Sequence, residues 1–149
     1  MQLPIYSAQD EMELMSRLWT PALKNDPLKF VLYAFPWGQK GTPLEDFAGP
    51  RRWQREVLAE LAAHIEQNNG KVDFDTLRMA TSSGRGIGKS ALVSWLVIWM
   101  LSTRIGSTTI VSANSEAQLR SVTWAEITKW LSMSLNSHWF EISATRVAP

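Results

Sequence analysis

The sequence predicts an α/β fold: an incomplete parallel sheet with flanking helices, preceded by a helical N-terminal extension. Three observations predict it. The first is the loop Ser83-Gly84-Arg85-Gly86-Ile87-Gly88-Lys89-Ser90, which has glycine at alternate positions and closes in Gly-Lys-Ser. The second is the segment that follows, Ala-Leu-Val-Ser-Trp-Leu-Val-Ile-Trp-Met-Leu over residues 91–101. It is apolar around nearly its whole circumference, the pattern of a helix buried on most sides. The third is a pair of short runs that read as strands on either side, residues 76–82 (Thr-Leu-Arg-Met-Ala-Thr-Ser) and residues 107–113 (Ser-Thr-Thr-Ile-Val-Ser-Ala). The second of these is rich in β-branched residues. Strand, glycine loop, helix and strand make a βαβ unit, which implies a parallel sheet and a right-handed crossover.

The remaining elements follow in order. Residues 8–20 carry Met12, Met15, Leu18 and Trp19 at helical spacing, with Asp10, Glu11 and Glu13 near the start, so they predict a short amphipathic helix docked on the main body. Pro21, Pro27, Pro36, Pro43 and Pro50 punctuate the next stretch. Between them lies Phe30-Val31-Leu32-Tyr33-Ala34-Phe35, whose periodicity fits a helical turn and a strand equally. Residues 51–68 are a helix with Trp53, Val57, Leu58, Leu61 and Ile65 on one face and Asn69-Gly70 as its stop. Residues 115–135 are the last long helix, with Ser115 and Gln118 matching a capping box. Phe140 to Ser143 begins a further strand. The division expected is residues 1–50 as a helical and irregular extension and residues 51–149 as part of the α/β domain.

Composition narrows the class. The 149 residues amount to about one domain. A formal net charge of +1 argues neither for nor against nucleic acid. Cysteine is absent, which excludes disulfides and thiolate metal sites. The apolar segment after the loop is bracketed by Lys89 and Arg104 and is too short for a membrane span. Eight tryptophans are many for this length, and large aromatics anchor cores or interfaces.

The loop carries the chemistry. Gly-x-x-x-x-Gly-Lys-[Ser/Thr] is the phosphate-loop pattern, and here Ser83 replaces its first glycine. Gly84, Gly86 and Gly88 let the backbone turn its N–H groups inward as an anion-binding nest. The following helix adds its unpaired N–H groups and positive dipole end. Lys89 would reach the β- and γ-phosphates of ATP and the Ser90 hydroxyl would ligate Mg²⁺. Arg85 supplies a second cation, so Lys89 and Arg85 are the residues expected to neutralise developing charge. The bland alternative is a glycine turn capping a helix with Lys89 in solvent. The expected strand before and helix after favour the phosphate loop, and so a phosphate-loop NTPase core. Gln54 is a candidate for an adenine edge because its amide offers donor and acceptor together, with Trp53 or a neighbouring arginine to stack. A glutamine on a helix surface is the commoner case.

Phe35-Pro36-Trp37-Gly38, Gly49-Pro50-Arg51-Arg52-Trp53-Gln54-Arg55-Glu56-Val57-Leu58, the loop 83–90 and Ile110-Val111-Ser112-Ala113-Asn114-Ser115-Glu116-Ala117-Gln118 together resemble the N-terminal part of a tailed-phage terminase large subunit. The resemblance spans most of residues 28–135. It implies ATP-driven packaging of double-stranded DNA into a procapsid, and an endonuclease in a C-terminal domain. It also implies a homo-oligomeric ring, a portal protein and a small terminase subunit as partners, and work in the host cell cytoplasm. A non-glycine first loop position and a loop arginine are habits of that family, matched by Ser83 and Arg85. A glutamine ahead of the loop contacts adenine there, which favours Gln54. The family's apolar strand ending in Asp-Glu has no counterpart: the acidic residues after the loop are Glu116, Glu126 and Glu141. The expectation is therefore a fragment that binds ATP without turning it over. The rival readings are a helicase-like ATPase, a non-catalytic interaction module and a small-molecule kinase.

Overall fold

Helix starts in this chain are written in short polar side chains and prolines. The computed structural model describes residues 7–68, 88–113, 115–143 and 146–149. Helix α1 (Ala8–Leu18) opens on Ser7, whose Oγ accepts from the Asp10 amide while Asp10 Oδ2 accepts from the Ser7 amide. Such reciprocal caps satisfy two otherwise orphaned donors and contribute about 1 kcal/mol. A single turn, α2 (Pro21–Lys24), leads into α3 (Pro27–Ala34). Asp26 caps α3 by accepting from the Lys29 amide at 3.1 Å, and Pro27 occupies the first helical position, where its missing N–H costs nothing. The run whose periodicity fitted two structures is therefore helical, and it stops where Pro36 forces Phe35 into an extended conformation.

Helix α4 (Arg52–Gln67) and helix α5 (Lys89–Thr103) are the two long elements. A third helical stretch begins at α6 (Glu116–Gln118), capped by Ser115, whose Oγ accepts from the Gln118 amide at 3.1 Å. It continues through a π-helical segment (Leu119–Trp124) into α7 (Ala125–Met133). A 3₁₀ turn (Ser137–Trp139) and two short strands, β1 (Glu141–Ile142) and β2 (Val147–Ala148), close the chain; the strands pair antiparallel.

The core forms around α5. Leu92, Trp95, Ile98 and Trp99 are buried, against Phe30, Val31 and Ala34 of α3, Leu58 and Ile65 of α4, and Trp130 and Leu131 of α7. Each such side chain is worth about 1.5–3 kcal/mol removed from water. At the centre stand Trp37, Trp95 and Trp130 with Phe35. Trp95 meets Trp130 edge-on at 5.2 Å between centroids, Phe35 meets Trp130 at 5.2 Å and Trp37 meets Trp95 at 5.8 Å. Edge-to-face geometry suits the ring quadrupoles. Indole N–H groups pin the surrounding elements: Trp37 donates to Val31 O, Trp99 to Leu23 O and Trp19 to Ser102 O. Two buried hydroxyls of α5 bond back within the helix, Ser94 donating to Ser90 O and Thr103 to Trp99 O, both at 2.7 Å. Residues 1–50 contribute Leu14, Leu18, Phe30, Val31, Ala34, Phe35 and Leu44 to this same cluster.

This architecture corrects the expected fold class. Among the described residues the chain is mostly helical and its only sheet is a two-stranded antiparallel one, so the parallel-sheet phosphate-loop NTPase core does not form there. Residues 107–113 make no strand, and Ile110 is 88 % exposed. The strand expected at 76–82 lies outside the described residues. The physical reason is that two of the fold signals were incomplete. An all-round apolar helix demands burial without saying by what, and here helices and indoles supply it. A β-branched run becomes a strand only when another strand offers it hydrogen bonds. The strand expected from Phe140 is present, but shorter, as β1.

Helix α1 is latched to the far end of the chain through Glu11. Its Oε2 accepts from Trp139 Nε1 at 2.7 Å and its Oε1 contacts His138 Nε2. The Trp139 hydrogen bond holds the Glu11 carboxyl below its ordinary 4.5; desolvation opposes it, the hydrogen bond and charge of His138 add to it, and the charge of Asp10 opposes it least. A carboxyl depressed in the folded state stabilises fully above its unfolded value and loses that contribution as pH falls through the folded one. The thermal midpoint of Glu11→Gln is therefore expected below that of the wild type at pH 7. The gap should narrow as pH drops below about 4.5. Paired melting curves at pH 7 and pH 3 check this.

Candidate functional site

The N-terminus of α5 is where the described residues meet the glycine loop. Gly88 is the N-cap, at φ +92° in the left-handed region, and Lys89 and Ser90 are the first two helical residues. Lys89 is exposed and Ser90 half-buried. The amides of a first helical turn have no acceptor within the helix, and the macrodipole is positive there. Ser83, Gly84, Arg85, Gly86 and Ile87 lie outside the described residues.

Gln54 is the sequence candidate whose position is most informative. It sits in the first turn of α4 and is 3 % exposed, not a surface glutamine. Its Oε1 accepts from the Arg51 amide at 2.8 Å, satisfying an orphan donor of α4. Its Nε2 donates to Gly88 O, also at 2.8 Å, across 34 residues of chain. The amide can be oriented only this way, because the reverse would set oxygen against the Gly88 carbonyl and nitrogen against the Arg51 N–H. Gly88 O also accepts from the Leu92 amide, the first bond of the α5 ladder. One side chain thus joins the start of α4 to the start of α5. The approach is close enough that a Cβ on Gly88 would collide with Gln54 Nε2. Glycine is required at 88 twice over, for its φ and for this contact.

The neighbouring residues of the Gly49–Gln54 stretch serve mainly to shape α4's start. Arg55 folds back so that Nε donates to Pro50 O at 3.1 Å, and its guanidinium fills the space a side chain at Gly49 would need. Arg52 pairs with Glu56 at 3.2 Å on the exposed face. Trp53 is half-buried against the core. Sequence reasoning named Gln54 but missed the Gly49–Arg55 fit; its only signal was a glycine next to a proline ahead of three basic residues.

A second concavity, of about 900 Å³, lies at the other end of α5. Leu101, Ile110, Leu119, Trp124, Ile127 and Phe140 line it, so it is chiefly apolar. It includes neither Gln54 nor Gly88, Lys89 or Ser90. Three arginines border it: Arg104 donates to Lys24 O at 2.7 Å and lies over Trp99, Arg120 pairs with Glu116 at 2.9 Å, and Arg146 is exposed. Among the described residues no cluster of three or more His, Asp or Glu is placed to hold a metal, and no helix is long and apolar enough to cross a membrane.

Gly88→Ala is expected to destabilise the fold by about 2 kcal/mol or more. About 1–2 kcal/mol of that comes from the left-handed backbone alone, and the displacement of buried Gln54 adds to it. Chemical denaturation measures the loss; a change below about 0.5 kcal/mol contradicts the junction described.

Searches of family models, curated proteins and solved structures return no match to this chain, so the functional reading rests on the residues themselves.

Proposed function

We propose that this chain binds the polyphosphate of ATP, with Mg²⁺, at the N-terminus of α5, as the ATP-binding portion of a tailed-phage terminase large subunit. The observation that carries the reading is the 2.8 Å bond from Gln54 to Gly88 O. It joins residue 54 to Gly88, so that two positions the sequence singled out for nucleotide binding lie side by side. A glycine N-cap in the left-handed region, followed directly by Lys89 and Ser90 on a buried 15-residue helix, supplies what an anion needs. It offers main-chain donors, a positive dipole end and an ammonium group. In this role Lys89 would neutralise the β- and γ-phosphates, Ser90 would ligate Mg²⁺ and Arg85 would add the second cation.

The biological role that goes with this reading is packaging of double-stranded DNA by a ring of subunits in the host cell cytoplasm. A portal protein and a small terminase subunit would be its partners. Binding without rapid turnover is the expected behaviour of these residues. Phosphoryl transfer to water needs a carboxylate to place metal and water. Of the three carboxylates after the loop, Glu116 pairs with Arg120 and Glu126 accepts from Trp130 Nε1 at 2.9 Å, while Glu141 lies exposed on β1.

Isothermal titration with MgATP is expected to give one site per chain. Lys89→Ala should weaken it at least tenfold, since a charge-assisted hydrogen bond is worth about 1.5–3 kcal/mol. Absence of binding, or binding indifferent to Lys89→Ala, would overturn the proposal.

A further inference from the structure

Independently of the proposed nucleotide site, we infer that residues 107–113 are an unpaired β-edge through which two copies of this chain join, antiparallel, about a two-fold axis at Ile110. The run is neither helical nor turned, and its exposure alternates residue by residue. Ser107, Thr109, Val111 and Ala113 are half-buried, while Thr108, Ile110 and Ser112 are exposed. Alternation at a period of two marks extended backbone with one face against the protein. The start of the run is anchored: the Ser107 amide donates to Arg104 O at 3.2 Å and Ser107 Oγ donates to Met100 O at 3.0 Å. Beyond it, among the described residues, no main-chain group from Thr108 to Ala113 has a hydrogen-bond partner. The conformation of a strand is in place and its ladder is absent.

An extended main-chain edge selects another extended segment, because only that supplies donors and acceptors at matching spacing. The side chains select a second copy of the same segment. Antiparallel pairing centred on Ile110 sets Thr109 opposite Val111, Thr108 opposite Ser112 and Ser107 opposite Ala113. Each pair is alike in kind: two β-branched residues, two hydroxyls, two small residues. Half-buried positions meet half-buried ones and exposed meet exposed, so the two copies continue one another's faces. Ile110, 88 % exposed, meets its own counterpart on the axis. Such cross-strand pairs are the unit of sheet stabilisation. The run holds no charge, so nothing within it repels a second copy. Its borders are of opposite sign, Arg104 before and Glu116 after, each six positions from Ile110. Antiparallel order turns the basic border of one copy toward the acidic border of the other. The Glu116 side chain, 76 % exposed beside Arg120, is open to that approach. The contact is isologous and closes at two copies.

Sedimentation velocity of the wild-type chain from about 1 to about 300 μM tests this. One short strand per copy makes a contact of the weak class, so monomer is expected at the low end and a growing share of dimer toward the high end. Ile110→Pro removes the central N–H of the edge and should raise the dissociation constant at least about tenfold. Ile110→Lys and Ile110→Glu should each abolish the dimer, because like charges then face one another across the axis, and their equimolar mixture should restore it. The charged variants decide alone if Ile110→Pro does not fold. A wild type that stays monomeric throughout, a dimer indifferent to Ile110→Pro, or a mixture that stays monomeric overturns the inference. So does hydrogen exchange that finds the amides of residues 108–113 already protected in the dilute monomer, since another segment of the same chain then holds the edge.

Discussion

Everything in this fold answers to the need to keep α5 out of water. Nine residues of that helix are buried, on more than one face, so no single partner element could cover it. Helices α3 and α7 pack against it directly, and α4 joins the same core through Leu58 and Ile65. Two interior hydroxyls on α5 bond back to their own helix, and Asn136, 34 residues away in sequence, donates to Ser102 Oγ at 2.8 Å. Trp95 Nε1 is buried and has no hydrogen-bond partner among the described residues. An unsatisfied donor of this kind costs about 1–3 kcal/mol. The Trp95 ring makes two edge-on contacts, with Trp37 and Trp130, and Phe35 packs in turn on Trp130.

Burial of α5 has a consequence at its first residue. A helix held rigidly along its length presents its N-terminus at a fixed point, and the Gln54 bond fixes the same point from α4. Electrostatic recognition of an anion by main-chain amides depends on their direction more than on their number. On the proposed reading, two constraints on Gly88 would favour a prearranged donor set over one that must be organised by the ligand, which would lower the ordering cost of binding.

Much of the helical order was legible in the sequence, for local reasons. Ser115 reads as a cap and caps the helix that follows it; Ser7 and Asp26, which the sequence reading did not single out, do the same for α1 and α3. The apolar face of residues 51–68 and the all-round apolar stretch after Gly88 were equally plain. What could not be read was pairing. Residues 107–113 have the composition of a strand, yet strand formation is decided by a neighbour that composition does not name. Hence the α/β expectation gave way to a helical assembly with one small antiparallel pair. At the candidate site, residue type, spacing and the family resemblance singled out Gln54 and the Gly88-Lys89-Ser90 turn. The burial of Gln54 could not be read, since a glutamine on an amphipathic helix is ordinarily exposed. The fit of Arg55 over Gly49 and the apolar groove beside Ile110 depend on tertiary placement and left no mark in the residue pattern.

The most direct test of the account is an amide NMR titration of the ¹⁵N-labelled chain with MgATP. The largest shifts are expected at the amides of Gly88, Lys89 and Ser90 and at the Gln54 side-chain NH₂, with Leu92 following as the next bonded partner of Gly88. Shifts concentrated instead at Ile110, Leu119 and Phe140, with Gly88 to Ser90 unmoved, would place the ligand in the apolar groove and contradict the account.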